Sequence, residues 1–200
     1  MDALDVDGAI RYALRRLEHE LLPGYSYHSV VHTRDDVAPA AELLASMLQL
    51  SEEECLLLRT AAYYHDLGYV EQRAAHEAVA VQLAQLVLPR FGYSPAQIET
   101  IAGMIMATRL PQTPHTLAQQ ILADADLDIL GRSDFLSRNR ALRAELAAFG
   151  QHFDDAAWYG DQLRFLQSHR YWTAAARSLR DAYKQRNCEA LEQLLARARQ

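Results

Sequence analysis

Apolar residues recur at helical spacing from one end of this chain to the other, and each run stops where a helix-ending residue stands. Val6, Ile10, Leu14, Leu17 and Leu21 step by threes and fours until Pro23-Gly24 interrupts them. Val37, Ala40, Ala41, Leu44, Met47 and Leu48 form a second stripe. Ser51 and Glu54 read as a capping box opening a third helix, predicted to carry His65 and Asp66 near its C-terminal end, before Gly68. A fourth helix is expected over 71–88, closed by Pro89. Ser94-Pro95-Ala96-Gln97 supplies an N-cap, a proline at the first helical position and a glutamine at the third, for a fifth helix ending near Thr108. Thr113-Pro114 repeats the start signal for a sixth, expected to reach Leu130 with Gly131 just beyond. Ser133 caps a seventh, to Phe149-Gly150, and Asp154 an eighth; residues 171–198 hold one or two more. Asp2, Asp5 and Asp7 read as helix-start charges, and Trp158 and Trp172 as core. Ala and Leu outnumber Val, Ile and Thr, and no strand alternation, internal repeat or long linker appears. The pattern predicts an all-α chain, a single-domain helical bundle over residues 1–200.

Composition limits what such a bundle does. With half of its 200 residues apolar, the chain can bury a real core. A formal charge of -6 argues against a dominant nucleic-acid surface, which needs a basic field. Cys55 and Cys188 make neither a disulfide framework nor a zinc-thiolate spacing. The acidic N-terminal segment is unlike a signal peptide, and no apolar run approaches bilayer length. A cytoplasmic protein with no membrane partner is the expectation; the oligomeric state is not legible.

Four segments carry candidate ligands for a cation: His28 and His32, His65-Asp66, His76, and the run Ala123-Asp124-Ala125-Asp126. A single histidine on a helix is usually a surface or satisfied core residue. His65-Asp66 resists that reading, because Ala61, Ala62, Tyr63 and Leu67 around it are largely apolar and a buried carboxylate is costly unless paired or metal-bound. Asp124, behind Ile121, Leu122 and Ala123, poses the same problem. Imidazole with carboxylate suits Mn, Fe, Co, Ni or Zn, with Mg accommodated in a carboxylate-rich shell.

The order "YHSVVHT", "AAYYHDLGY", "IAGMIMATRLPQTPH" and "ILADADLDILG" resembles the HD superfamily of metal-dependent phosphohydrolases. The likeness covers roughly residues 25–131, and the tail "WYGDQLRFLQSHRYWTAAARSLRDAYK" is similar to the C-terminal helices of a bacterial branch. It implies an HD-type bundle with a metal-site core over about 25–131 and C-terminal helices over 133–200. By resemblance His32, His65, Asp66 and Asp124 are the metal ligands. Asp126 is the alternative to Asp124, disfavoured because the turn before Asp124 is apolar. "YHSVVHTRDDV" is also similar to a segment of cyclic-nucleotide phosphodiesterases, which makes His28 a candidate proton donor to the leaving oxygen; Ser29 and Thr33 depart from that segment. His76 matches the first extra ligand of binuclear relatives. The second would fall at Ala107-Thr108, where no histidine stands, so one tightly held ion is favoured, with Glu77, His76 or His115 for a second ion or as outer support.

What the resemblance implies is divalent-metal-dependent hydrolysis of a phosphate ester in a small molecule, a nucleotide or cyclic nucleotide foremost, with phosphomonoesterase and phosphodiesterase both open. Asp66 would serve catalysis as a ligand; Asp36 and Glu77 are candidates for the base. Arg109 and Arg177 are candidate substrate contacts, although a basic row such as 177, 180 and 184 is more often a solvated face. The alternatives are a catalytically idle nucleotide-binding or metal-stabilised helical module, and an iron-dependent oxygenase of the HD type.

Overall fold

A computed structural model describes residues 4–200, so Asp2 lies outside the described residues. Among these residues there are nine α-helices and no strand, the all-α architecture expected. The helices are α1 (Val6–Glu20), α2 (Ala38–Met47), α3 (Glu52–Tyr64), α4 (His76–Val87), α5 (Pro95–Ala107), α6 (Leu117–Asp126), α7 (Phe135–Ala148), α8 (Asp155–Ser168) and α9 (Ala174–Ala198). They fall into two compact units. One holds the described residues up to Pro23 together with His28–Asp126; the other holds Gly24–Tyr27 and Leu127–Gln200.

Most start signals act as the sequence demands; Ser133 does not, since α7 takes Asp134 as its N-cap with no side-chain bond, and Thr113-Pro114 does not, since α6 begins only at Leu117. Ser51 and Ser94 each close a full capping box, with Glu54 and Gln97 returning the bond to the cap residue's own N–H. Asp5, Asp154 and Thr173 accept from the first turns of α1, α8 and α9. Two spans differ from expectation. The fourth helix begins at His76 rather than residue 71, after a 3-10 turn over Leu67–Val70 and a left-handed Ala75 (φ 53°). The sixth stops at Asp126, short of Leu130, and a separate 3-10 turn takes Asp128–Gly131. Both interruptions border the candidate ligands.

In the first unit α3 is the central element, packing against α1, α2, α5 and α6. Ala61 and Ala62 are completely buried on it, small enough to let its neighbours close in, and Tyr64 donates its hydroxyl hydrogen to Ala9 O (3.1 Å). Ile101, Met104 and Ile105 of α5 and Ile121 and Leu122 of α6 complete this core. The end of α3 is thereby held within the core, and His65 and Asp66 follow it directly.

The second unit is organised by α9. Its core joins Ile129, Leu130, Phe135, Leu166, Cys188 and Leu191. Trp158 is buried and donates to Asn139 (2.8 Å), whereas Trp172, expected in the core, is 39% exposed. Asn187 donates to Leu130 O and Arg132 O, both at 2.9 Å, and Arg180 pairs with buried Asp128 at 2.6 Å. Arg180 and Lys184 of the basic row are therefore engaged within this unit, while Arg177 is exposed. Lys184 is buried, donating to His169 O (2.5 Å) and lying 5.6 Å from the Tyr171 ring centre. Residues Gly24–Tyr27 dock here as well: Tyr27 N–H donates to fully buried Glu145 (2.7 Å) and Ser26 to Ala141 O (2.9 Å).

Two expectations follow. A methyl on Gly131 would stand 2.6 Å from Arg180 O and 2.9 Å from Arg180 Cα, backbone atoms that cannot rotate away. Gly131→Ala should therefore destabilise the chain by about 1–3 kcal/mol, read as a lower urea midpoint. The second concerns acid. Burial, with Lys184 and Arg170 adding to it, pulls the His169 imidazole from 6.5 down to about 4, and neither ring nitrogen makes a hydrogen bond. As pH falls from 6.5 the unfolded chain takes up this proton before the folded one does, so stability drops across that window and levels off below it. Denaturation midpoints measured across the window should fall more steeply for the wild type than for His169→Phe; parallel slopes would remove His169 from the acid response.

Candidate metal centre

His32 reaches the site from a distorted turn. The chain becomes helical at Val30, and His32–Val37 then form a π-helical turn, whose backbone bonds span one residue more than in an α-helix, before α2 resumes regular geometry. His32 is 1% exposed. His65 caps the end of α3 and Asp66 follows it; they are 1% and 4% exposed. The ring atoms of His32 and His65 and a carboxylate oxygen of Asp66 lie within 4.8 Å of one another.

Their orientation is specific. His65 Nδ1 donates to Ala62 O (2.8 Å), which turns Nε2 inward as a lone pair. That Nε2 is 3.3 Å from Asp66 Oδ2, and His32 Nε2 is 3.8 Å from the same oxygen. Neither His65 Nε2 nor Asp66 Oδ2 makes a hydrogen bond, although both are buried. A lone pair facing a carboxylate at this depth is repulsive unless a proton or a metal ion sits between them.

The electrostatics state the same demand. Burial opposes charge on both imidazoles, but Asp66 and Asp126 outweigh it at His65, holding that group well above its usual range. Asp126, Asp36 and Asp66 raise His32 likewise. Burial would lift the two acids; instead His65 leads the groups that draw Asp66 well down, and His32 and His65 bring Asp126 to about 2. Two carboxylates and two imidazoles share a potential that favours positive charge, and a divalent cation fits this donor set.

The second acid of the group is Asp126. Its Oδ1 lies 3.3 Å from His32 Nε2 and 3.5 Å from His65 Nε2. The apolar turn before Asp124 favoured that residue instead, and Asp124 is indeed completely buried. Two residues along a helix are about 200° apart, and Asp126, the last residue of α6, is the one that these distances bring beside both imidazoles.

His28 precedes the helical segment instead of sharing a regular face with His32. The rings nonetheless approach edge-on, with centres 6.1 Å apart. His76, the first residue of α4, places Nε2 3.3 Å from Asp66 Oδ1, and its Nδ1 lies 3.6 Å from Glu77. Burial opposes its protonation, but Asp66 and Glu77 raise it. Asp66 thus presents Oδ2 to His32 and His65 and Oδ1 to His76. Asp36 Oδ2 lies 3.6 Å from His32 Nδ1, on the side away from the acids at Nε2.

The remaining candidates have other surroundings. His115 is exposed, with only its backbone N–H bonded, to Gln119. Arg109 is exposed beyond α5. Arg177, in the second unit, donates to Tyr171 O (2.8 Å) and Trp172 O (2.7 Å), holding the turn that starts α9. Ala107, where an extra histidine would stand, is buried, and the Thr108 hydroxyl bonds back to Ile105 O (2.8 Å). One residue went unread in the sequence: Tyr69, three positions after Asp66, whose ring stacks on both His28 and His76. Its only sequence signal is the Gly68 before it.

Residues 34–128 match the family model of the HD domain. Three solved structures share the fold. A Lactobacillus plantarum protein is 18% identical with a TM-score of 0.72, covering 98% of this chain and 97% of its own. Bacillus subtilis YpgQ, solved in complex with ADP, is 19% identical with a TM-score of 0.68, covering 95% and 93%. A predicted HD superfamily hydrolase from an uncultured Thermotogales bacterium is 18% identical with a TM-score of 0.65, covering 96% and 91%. No curated protein matches the chain. No helix among the described residues is long and apolar enough to cross a membrane. Residues 34–128, from the π-helical turn of His32 to just past Asp126, are an HD domain, and the all-helical chain around them has the fold of HD superfamily proteins.

Proposed function

We propose that the chain is a divalent-metal-dependent phosphohydrolase acting on a small phosphate ester, with His32, His65, Asp66 and Asp126 as the ligands. The observation that carries this reading is the buried pair His65 Nε2 and Asp66 Oδ2, both without a hydrogen bond and facing each other at 3.3 Å. A divalent ion held there supplies charge neutralisation to a phosphate oxygen and acidity to water. His65 is kept in the binding tautomer by Ala62 O. His28, half-buried beside the group without belonging to it, is placed to hand a proton to the departing oxygen. Glu77, buried beside His76, is the acid best placed to receive a proton at the other end of the reaction. A nucleotide is the favoured ester: one structural relative is in complex with ADP, and the net charge of -6 suits a small substrate better than a polynucleotide. The likeness of the His28 segment to phosphodiesterases favours a diester over a monoester.

A second reading, with two ions, is favoured by the division of Asp66 between His65 on Oδ2 and His76 on Oδ1. The missing histidine at Ala107 favours one. Metal-to-protein stoichiometry after dialysis decides between them, and two irons would be required for an oxygenase.

The reading is tested by phosphate release from nucleotides and cyclic nucleotides, with Mn, Co, Ni, Mg or Zn added to stripped protein. No turnover with any ion would leave a metal-stabilised binding module. His65→Ala and Asp66→Ala should retain helicity and lose metal affinity by at least about 100-fold. Asp126→Asn should lose metal in the same way while Asp124→Asn keeps it; the reverse pattern would return the ligand role to Asp124. His28→Ala should keep metal and lose roughly 10²- to 10⁴-fold in turnover, with a smaller loss for esters of good leaving groups such as nitrophenolate.

A further inference from the structure

We infer that Tyr69 is a positioning residue, the shared stacking partner that sets the ring orientations of His28 and His76. Its catalytic consequence rests on the proposed role of His28. The His28 and Tyr69 ring centres are 4.6 Å apart with planes 29° from parallel; for His76 and Tyr69 the values are 3.9 Å and 19°. The two imidazoles are 6.4 Å apart and tilted by 48°, so neither orients the other as closely as Tyr69 orients both. Tyr69 is 7% exposed and sits in the 3-10 turn that follows Asp66, hence within the same short segment as two of the proposed ligands.

The backbone is shaped for this stack. Gly68 lies so close to the first turn of α4 that a Cβ on it would collide with His76 O and stand 2.7 Å from His76 C and 2.9 Å from Ala80 N. Only a residue without a side chain brings Tyr69 down onto the His76 ring. On the other side of the gap Ala75 adopts a left-handed conformation (φ 53°), rare for a residue with a Cβ, immediately before His76. His28, for its part, precedes the first helical residue, Val30, so regular helix geometry does not fix its direction. A proton donor must point at the leaving oxygen, and a displacement of about 1 Å can cost on the order of 100-fold in rate. The flat face of Tyr69 supplies the orientation that the backbone at His28 lacks.

The stack is read first without touching Tyr69. In proton-carbon spectra of metal-free protein with labelled histidine, the ring protons of His28 and His76, identified by their loss in His28→Gln and His76→Gln, should be displaced upfield by the tyrosine ring current. Tyr69→Leu should abolish both displacements and Tyr69→Phe should keep them. Ring protons at ordinary positions in the wild type would overturn the placement, whatever the protein hydrolyses. For the catalytic consequence, Tyr69→Leu should keep metal and lose about 10- to 100-fold in turnover, Tyr69→Phe should stay near wild type, and the loss should vanish in a His28→Ala background, because the two residues act through one proton donor. Full additivity of Tyr69→Leu with His28→Ala, or a Tyr69→Phe variant as impaired as Tyr69→Leu, would overturn the positioning role. An inactive wild type would sink the hydrolase reading while leaving the spectra to judge the stack.

Discussion

Two carboxylates and two imidazoles at the end of a helical core set the terms for the rest of this molecule. Asp66 and His65 are almost wholly removed from water, and Asp126 and His32 close around them. Unpaired charge at that depth is expensive, and replacing it with apolar side chains would give an easier core. Asp66 opposes the negative charge of Asp126, while both carboxylates raise the affinity of both histidines for a proton. The arrangement is consistent only when positive charge occupies its centre, which is why a cation accounts for it better than stability alone.

Regular helix is interrupted wherever a side chain must enter this group. His32 stands on a π-helical turn, His65 ends α3, a left-handed Ala75 precedes His76, and Asp126 is the last residue of α6. A regular helix offers a side chain every 100° or so at fixed rise, which packs apolar stripes well but cannot aim side chains from several segments at one point. Turns and helix ends provide the extra directions. The helices are then left with the simpler task of holding those ends still, and α3, packed between its neighbours, does so for the central pair.

The second unit shows the contrasting use of charge. Asp128 with Arg180, and Lys184 with His169 O and the Tyr171 ring, are satisfied pairwise inside that unit. Arg180 and Lys184 are therefore engaged by structure inside that unit. The same residue types carry a functional demand in one unit and a packing role in the other, and the difference lies in whether each polar atom finds a partner within the protein.

Fold class was legible in the chain because it depends on local signals: apolar spacing, the Ser51 and Ser94 capping boxes, and Pro and Gly as punctuation all act within a few residues. The proposed ligands His65 and Asp66 were legible too, since a His-Asp pair amid apolar residues is costly to bury without a cation or a charged partner, and His32 was legible only through the resemblance of its segment to the HD superfamily. Three things were not. The approach of Asp126 to both imidazoles was not read from the apolar turn before Asp124, because it depends on how α6 lies against α2, α3 and α5. The late start of α4 depends on Gly68 packing against the His76 backbone, a contact between segments. Tyr69 looked like any aromatic after a helix, and its stacking on two histidines exists only once residues 28, 69 and 76 are in one place. Short-range energies thus determined what the elements are and which side chains they carry; long-range packing decided which acid comes beside the imidazoles and which ring stacks on His28 and His76.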